Sequence, residues 1–182
     1  MKNIALFASH NGSIFDTIYN VTNINISLII TNNSDANILL KAKKFNIPFY
    51  VINEKNTQNV DKRIIELLDI HNIDFILLAG YMKKISSSII DKYNIINSHP
   101  SLLPSYGGSG MYGKFVHEAV IKNNEKVSGV TIHEVDKVYD SGKIILQKEV
   151  VLDTNETVES LEKKIKELEK IAIVEAIELY KI

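Results

Sequence analysis

The sequence predicts a single α/β domain: a mostly parallel, twisted sheet flanked by helices, with antiparallel strands added in the C-terminal half and a long last helix. Three observations lead there. Five short, nearly continuous apolar runs punctuate the first half of the chain, the pattern of strands covered on both faces. Stretches with helical spacing separate them, and that alternation implies right-handed crossovers with ligands at the strands' C-terminal edge. The second half then offers two longer strand-like segments in succession, followed by one extended amphipathic stretch.

Taken in order, residues 4–8, 26–30, 49–52, 75–79 and 95–97 are the apolar runs. Residues 36–45 read as a helix stopped by Asn46 and the following Pro48. Val60, Ile64, Leu67 and Leu68 fall at i, i+4, i+7 and i+8, one core-facing stripe. Residues 115–122 look helical, and residues 127–135 and 143–152 read as a pair of strands. Thr157 is an expected N-cap for the last helix, whose stripe is Leu161, Ile165, Leu168, Ala172, Ala176 and Leu179. No repeat, low-complexity tract or linker interrupts the chain. One domain over residues 1–182 is therefore expected, with its two halves meeting near residue 100. A chain of 182 residues, 45% hydrophobic and 24% charged, suits a domain with a substantial core.

Composition narrows the function classes. A formal charge of −1 gives no field for gathering nucleic acid or an anionic membrane. The absence of Cys excludes a disulfide scaffold and a thiolate metal site. The apolar start ends by Ser9, too short for a signal peptide's core or a membrane span, so the cytoplasm is expected. Twenty Lys stand against the single Arg63, with 29 Ile and 18 Asn, a bias that lowers the information in each such residue. Any bidentate guanidinium contact must come from Arg63 or be replaced by Lys.

The chemistry concentrates at the ends of the apolar runs. Asn97 and His99 stand two residues apart, so a strand points both to one side. Pro100 and Pro104 then keep the chain out of helical geometry. A carboxamide and an imidazole side by side can act together on a carbonyl oxygen, the amide donating to an oxyanion and the imidazole moving protons. At the end of the first run, Asn11-Gly12-Ser13 offers free backbone N–H groups at a strand-to-helix junction, a setting for a phosphate monoester and equally an ordinary turn. Gly107, Gly108, Ser109, Gly110 and Gly113 form a loop that reads either as a mobile lid or as a plain linker.

Asn97-Ser98-His99-Pro100-Ser101-Leu102-Leu103-Pro104 resembles the signature of the folate-dependent formyltransferases, whose fold is Rossmann-like. Asn11-Gly12-Ser13, Leu78-Ala79-Gly80-Tyr81-Met82, Gly129-Val130-Thr131-Ile132-His133 and Tyr139-Asp140-Ser141-Gly142 are similar, in order, to further family segments. The likeness covers essentially the whole chain. It is closest to the branch that passes the formyl group of 10-formyltetrahydrofolate to the amine of 5-phosphoribosylglycinamide in purine biosynthesis. The branch acting on methionyl-tRNA carries a further C-terminal domain, for which no room is expected here.

The resemblance implies roles residue by residue. Asn97, His99 and Asp140 are the catalytic set, with Asp140 facing His99, favouring its charged form and helping relay a proton through a tetrahedral intermediate. Asn11, Gly12, Ser13, Ile14 and Glu169 would meet 5-phosphoribosylglycinamide; Glu169 reads equally as a solvated helix residue. Tyr81, Met82, Lys83, Lys84, Ile85, Ile95 and Asn97 would line the folate. No metal is implied. Three departures stand out: His10 where the family has Gly, Ile14 where it has Asn, and Lys83 where it often has Arg. His71 and His117 are expected on helix surfaces, and His133 is either structural or near the site. The partners implied are these small molecules alone, bound by a monomer or a homodimer. A formyltetrahydrofolate hydrolase, a class that usually adds an N-terminal regulatory domain, and a non-catalytic folate-binding protein are the alternatives.

Overall fold

The computed structural model describes residues 1–180, which form two units divided between Ile96 and Asn97. The division falls inside a strand, a few residues before the expected meeting point at residue 100. The first unit holds β1 (Lys2–Phe7), α1 (Phe15–Tyr19), β2 (Ile24–Thr31), α2 (Ile38–Lys44), β3 (Phe49–Val51), α3 (Val60–Ile70), β4 (Phe75–Leu78), α4 (Ser87–Ile90) and the start of β5 (Asn94–His99). Its strands lie in the order β3-β2-β1-β4, with β5 beside β4. β1 pairs in parallel with β2 and β4, and β2 with β3.

β1, β2 and β4 are buried on both faces over most of their length, as their apolar runs require, whereas the edge strand β3 is only half-buried. Ile4, Leu6, Phe7, Leu28, Ile29, Phe75 and Leu77 are fully buried, each contributing roughly 1.5–3 kcal/mol by leaving water. The expected strand ends at Ala8, Ile52 and Ala79 lie just outside the strands but continue the ladder. Ala8 N–H donates to the Ile30 carbonyl at 3.1 Å, Ile52 N–H to Thr31 at 2.8 Å and Ala79 N–H to Phe7 at 2.8 Å.

Local signals set the helices. Asn59 caps α3 by accepting the Lys62 N–H at 3.0 Å, and Ile64, Leu67 and Leu68 form its buried stripe. α2 begins at Ile38 rather than residue 36, and Asn46 ends it in the left-handed conformation, φ 54°. The short α4 is not anticipated by any periodicity; it is anchored by one buried side chain, Ile89.

The second unit, residues 97–180, contains the end of β5, α5 (Lys114–Lys122), β6 (Val127–Glu134), β7 (Ile144–Val151) and α6 (Val158–Leu179). β6 and β7 pair antiparallel, from Val127 opposite Val151 to His133 opposite Ile144, with β5 on the other side of β6. Thr157 caps α6 as expected: its hydroxyl accepts the Ser160 N–H at 3.1 Å, and the Ser160 hydroxyl accepts the Thr157 N–H at 2.9 Å. The buried face of α6 is Leu161, Ile165, Ala172, Ile173, Ala176 and Ile177. Leu168 is only half-buried and Leu179 is exposed, because the covered face turns toward Ile173 and Ile177 along the last turns. No helix among the described residues is long and apolar enough to cross a membrane.

Gly129 permits the tight pairing of β6 with β7. A Cβ there would stand 2.1 Å from the Lys148 carbonyl oxygen and 2.5 Å from Leu102 Cδ2. Gly129→Ala should therefore destabilise the protein by about 1–3 kcal/mol. Urea unfolding would read this as a lower midpoint at an unchanged slope.

Candidate active site

β5 extends two residues beyond the sequence expectation and so carries both Asn97 and His99. Past it, a buried polar network fixes the loop. Thr131 on β6 donates to the Ser101 carbonyl at 2.6 Å and accepts the Leu103 N–H at 3.0 Å. Gln147 on β7 donates to the Leu103 carbonyl and to Thr131 Oγ1, both at 2.9 Å. Ser101 Oγ donates to the Ser105 carbonyl at 2.6 Å. The Ser-Leu-Leu-Pro part of the signature is thus a buttress under the histidine.

His99 is 3% exposed, and its Nε2 lies 2.8 Å from the Tyr106 carbonyl oxygen. A carbonyl only accepts, so Nε2 carries the proton. Nδ1 then faces Asp140 Oδ1 at 3.6 Å, too far for a direct hydrogen bond and near enough for charge attraction. Asp140 sits in the left-handed region, φ 55°, and its other oxygen accepts the Gly108 N–H at 2.7 Å. The loop after Pro104 is thereby hydrogen-bonded to the site at residues 106 and 108.

His133 is also at the site. Its Nδ1 donates to the Glu134 carbonyl at 2.7 Å, which makes Nε2 an acceptor for the Asn97 amide N–H at 3.1 Å. Nε2 also lies 3.7 Å from Asp140 Oδ1. Burial pushes His133 below the ordinary histidine range; the Glu134 carbonyl and Asp140 act the other way, and His99 adds to the depression. A neutral His133 orients the carboxamide and leaves the second Asn97 N–H available.

Two further residues differ from expectation. His117 is 3% exposed rather than a surface residue, because it shares the buried face of α5 with Val116 and Val120. Its imidazole is pushed down, chiefly by burial. His71 is half-buried at the end of α3, with its ring edge toward Tyr50 at 6.2 Å. Glu169 is half-buried on α6, and burial raises its carboxyl above the ordinary range against opposing contributions from Ser98, Lys166 and Lys170.

In the first unit, Gly12 adopts φ +56°, and a Cβ there would meet Ile38 Cδ1 at 2.5 Å. Only glycine fits. Asn11 and Ser13 are exposed, whereas Ile14 is fully buried and could meet a ligand through its backbone alone. His10 is absent from the left-handed residues, so its Cβ imposes no strain on the turn. Two residues that the sequence reading missed join the loop from α2 and the turn before it: Asn37 donates to Asn11 Oδ1 at 2.8 Å, and Lys41 Nζ lies 3.4 Å from the Gly12 carbonyl and 2.7 Å from Asp16.

Among the folate candidates, Ile85 and Ile95 are buried and Met82 is 44% exposed. The Met82 N–H already donates to Ser9 Oγ at 2.8 Å, so it is not a free reading group. Tyr81 packs edge-on against Phe7 at 5.3 Å, and burial with the Glu54 and Asp61 carboxylates pushes its hydroxyl up to about 12. Lys83 pairs with Glu54 at 3.4 Å, and Lys84 also has interaction partners. No group of three or more His, Asp or Glu among the described residues could hold a metal ion.

A family model described as formyl transferase matches residues 2–177. The chain belongs to the formyl transferase family. It is 36% identical over 181 residues to the phosphoribosylglycinamide formyltransferase of Bacillus subtilis (strain 168), covering 93% of this chain and 89% of that one. The chloroplastic phosphoribosylglycinamide formyltransferase of Arabidopsis thaliana is 34% identical over 187 residues, covering 97% of this chain and 64% of that one. The crystal structure of phosphoribosylglycinamide formyltransferase from Streptococcus pneumoniae TIGR4 matches with a TM-score of 0.88 at 32% identity, covering 100% of both chains. Its likeness bears out the Rossmann-like α/β fold class.

The two depressed histidines of this formyl transferase link its stability to pH. Burial lowers both folded pKa values, so the unfolded chain binds protons first as the pH falls. Stability should be full at neutral pH and above, and should fall on acidification through the ordinary histidine range. Urea midpoints measured from about pH 7.5 to 5.5 should drop in the parent. The slope should be shallower in His117→Gln; an identical slope would remove His117 from the linkage.

Proposed function

We propose that the protein transfers the formyl group of 10-formyltetrahydrofolate to the amine of 5-phosphoribosylglycinamide, as a cytoplasmic enzyme of purine biosynthesis. One observation carries the reading: His99 Nδ1 and His133 Nε2 both face Asp140 Oδ1, at 3.6 and 3.7 Å, while His133 holds the Asn97 amide as a donor. An oriented amide N–H, an imidazole with one committed nitrogen and a carboxylate opposite the other are what acyl transfer to an amine requires. Membership of the formyl transferase family and the names of the relatives support the same reaction.

The roles follow from the atoms. As the amine nitrogen bonds to the formyl carbon, Asn97 donates its second N–H to the oxygen that takes up the electron pair. His99, with Nε2–H bound to the Tyr106 carbonyl, can exchange a proton only through Nδ1. In its charged form it donates there to the developing oxyanion. Asp140 stabilises that cation and accepts, directly or through water, the proton that the attacking amine loses. Collapse breaks the bond from the formyl carbon to folate N10, and N10 takes up the proton that Asp140 received, directly or through water.

The phosphate would lie on the backbone N–H groups of Asn11, Gly12, Ser13 and Ile14, with Lys41 supplying positive charge. The folate would run along Tyr81, Met82, Lys83, Lys84 and Ile85 with Ile95 and Asn97. Glu169 would face the glycinamide end.

Turnover should depend strictly on the amine acceptor, checked by following free folate and formate with and without 5-phosphoribosylglycinamide. Formate release at an equal rate without acceptor would establish the hydrolase instead. Asn97→Ala should cost about 10²–10³-fold in kcat. Asp140→Asn should cost about 10²–10⁴-fold with the acceptor KM changed much less.

A further inference from the structure

We infer that Tyr106 is a positioning residue, whose backbone carbonyl selects the His99 nitrogen that performs proton transfer and whose phenol holds that carbonyl in place. The inference rests on the reading of His99 and Asp140 as the proton-handling pair.

Tyr106 occupies the left-handed region, φ 56°. That conformation is unfavourable for a bulky residue and persists only where the surroundings over-determine it. Here the phenol does so. Its O–H donates to Glu125 Oε1 at 2.6 Å, and its oxygen accepts from Asn123 Nδ2 at 2.9 Å. Asn123 is the C-cap of α5 and Glu125 lies two residues beyond it. The side chain therefore latches the loop to the end of a helix, while the main chain turns back to present its carbonyl to His99 Nε2 at 2.8 Å. Burial and Glu125 keep the hydroxyl protonated, as a donor must be.

The next two residues complete the clamp. At Gly107 a Cβ would stand 2.5 Å from Leu103 Cδ2 and 3.3 Å from Asp140 Cβ, so any side chain there would press on both neighbours. The Gly108 N–H then holds Asp140 Oδ2 at 2.7 Å. Tyr106 and Gly108 thus fix both members of the pair through main-chain atoms, Gly107 passes closely between them, and Tyr106 carries the side chain that anchors this stretch to α5.

The test combines kinetics with nitrogen-15 NMR of the His99 ring. In the parent, neutral His99 should show a protonated Nε2 and a slowly exchanging imidazole proton. Tyr106→Phe keeps the ring and loses the hydroxyl. It should mix the two tautomers and lower kcat about 10–100-fold, with both KM values changed less than about threefold. Glu125→Ala should do the same without touching Tyr106. Glu125→Gln retains an acceptor and should restore the parental signature. An unchanged His99 signature in both Tyr106→Phe and Glu125→Ala overturns the positioning role, whatever the rates do. An altered signature with parental kcat supports the positioning and overturns the catalytic reading of His99 instead.

Discussion

The hydrogen bond from His99 Nε2 to the Tyr106 carbonyl sets what the imidazole can do in the candidate active site. It commits one ring nitrogen and turns the other toward Asp140. At His133 the commitment is reversed: Nδ1 is bound to the Glu134 carbonyl, and Nε2 is left to accept from Asn97. Two buried imidazoles therefore carry opposite tautomers, each selected by a main-chain carbonyl. One is left able to take and give a proton, and the other serves as a fixed acceptor that aims an amide. The same side-chain chemistry acquires two roles because the backbone around each ring differs.

Such a cluster is costly to bury unless its polar atoms find partners. Thr131 is fully buried and bridges Ser101, Leu103 and Gln147, so the main chain leaving β5 is satisfied inside the protein. The network fixes the start of the loop beside His99, which lies 3.6 Å from Asp140. The carboxylate itself is 11% exposed and holds one direct main-chain hydrogen bond, which leaves its other oxygen shared between two imidazoles. Burial pushes His133 toward neutrality and makes the fixed-acceptor role robust near neutral pH.

The alternation of strand and helix was legible because parallel strands leave unbroken apolar runs, and Asn97 with His99 because a strand repeats every two residues. Asp140 could be placed only by resemblance: it approaches His99 through space, from a left-handed turn that no periodicity marks. Tyr106 was invisible for a related reason, its contribution being a backbone carbonyl aimed by an unusual φ. His117 was a different failure. Val116 and Val120 already mark the covered face of α5, and polarity alone is a poor reason to place the histidine beside them on the surface. The end of β5 is hidden from an apolar-run reading, since Ser98 and His99 do not extend the run even though they extend the strand.

The loop after β1 shows how far a local motif can be read without its surroundings. Asn11-Gly12-Ser13 is a turn sequence in any context, and the requirement for glycine at position 12 comes both from its left-handed φ of +56° and from Ile38, at the start of α2, which no local pattern reveals. The helix that follows has only five residues and no side-chain cap, so its dipole offers little to an anion. The positive charge has to come from elsewhere, and Lys41 brings it to 3.4 Å from the Gly12 carbonyl. Asp16 holds the same ammonium at 2.7 Å. A phosphate on this loop would therefore compete with Asp16 for Lys41, and the exposed Asp16 can yield to it because water solvates the released carboxylate. Under the proposed reading, anion binding by the loop would depend on an exchange of partners at Lys41 as much as on the amides of the turn.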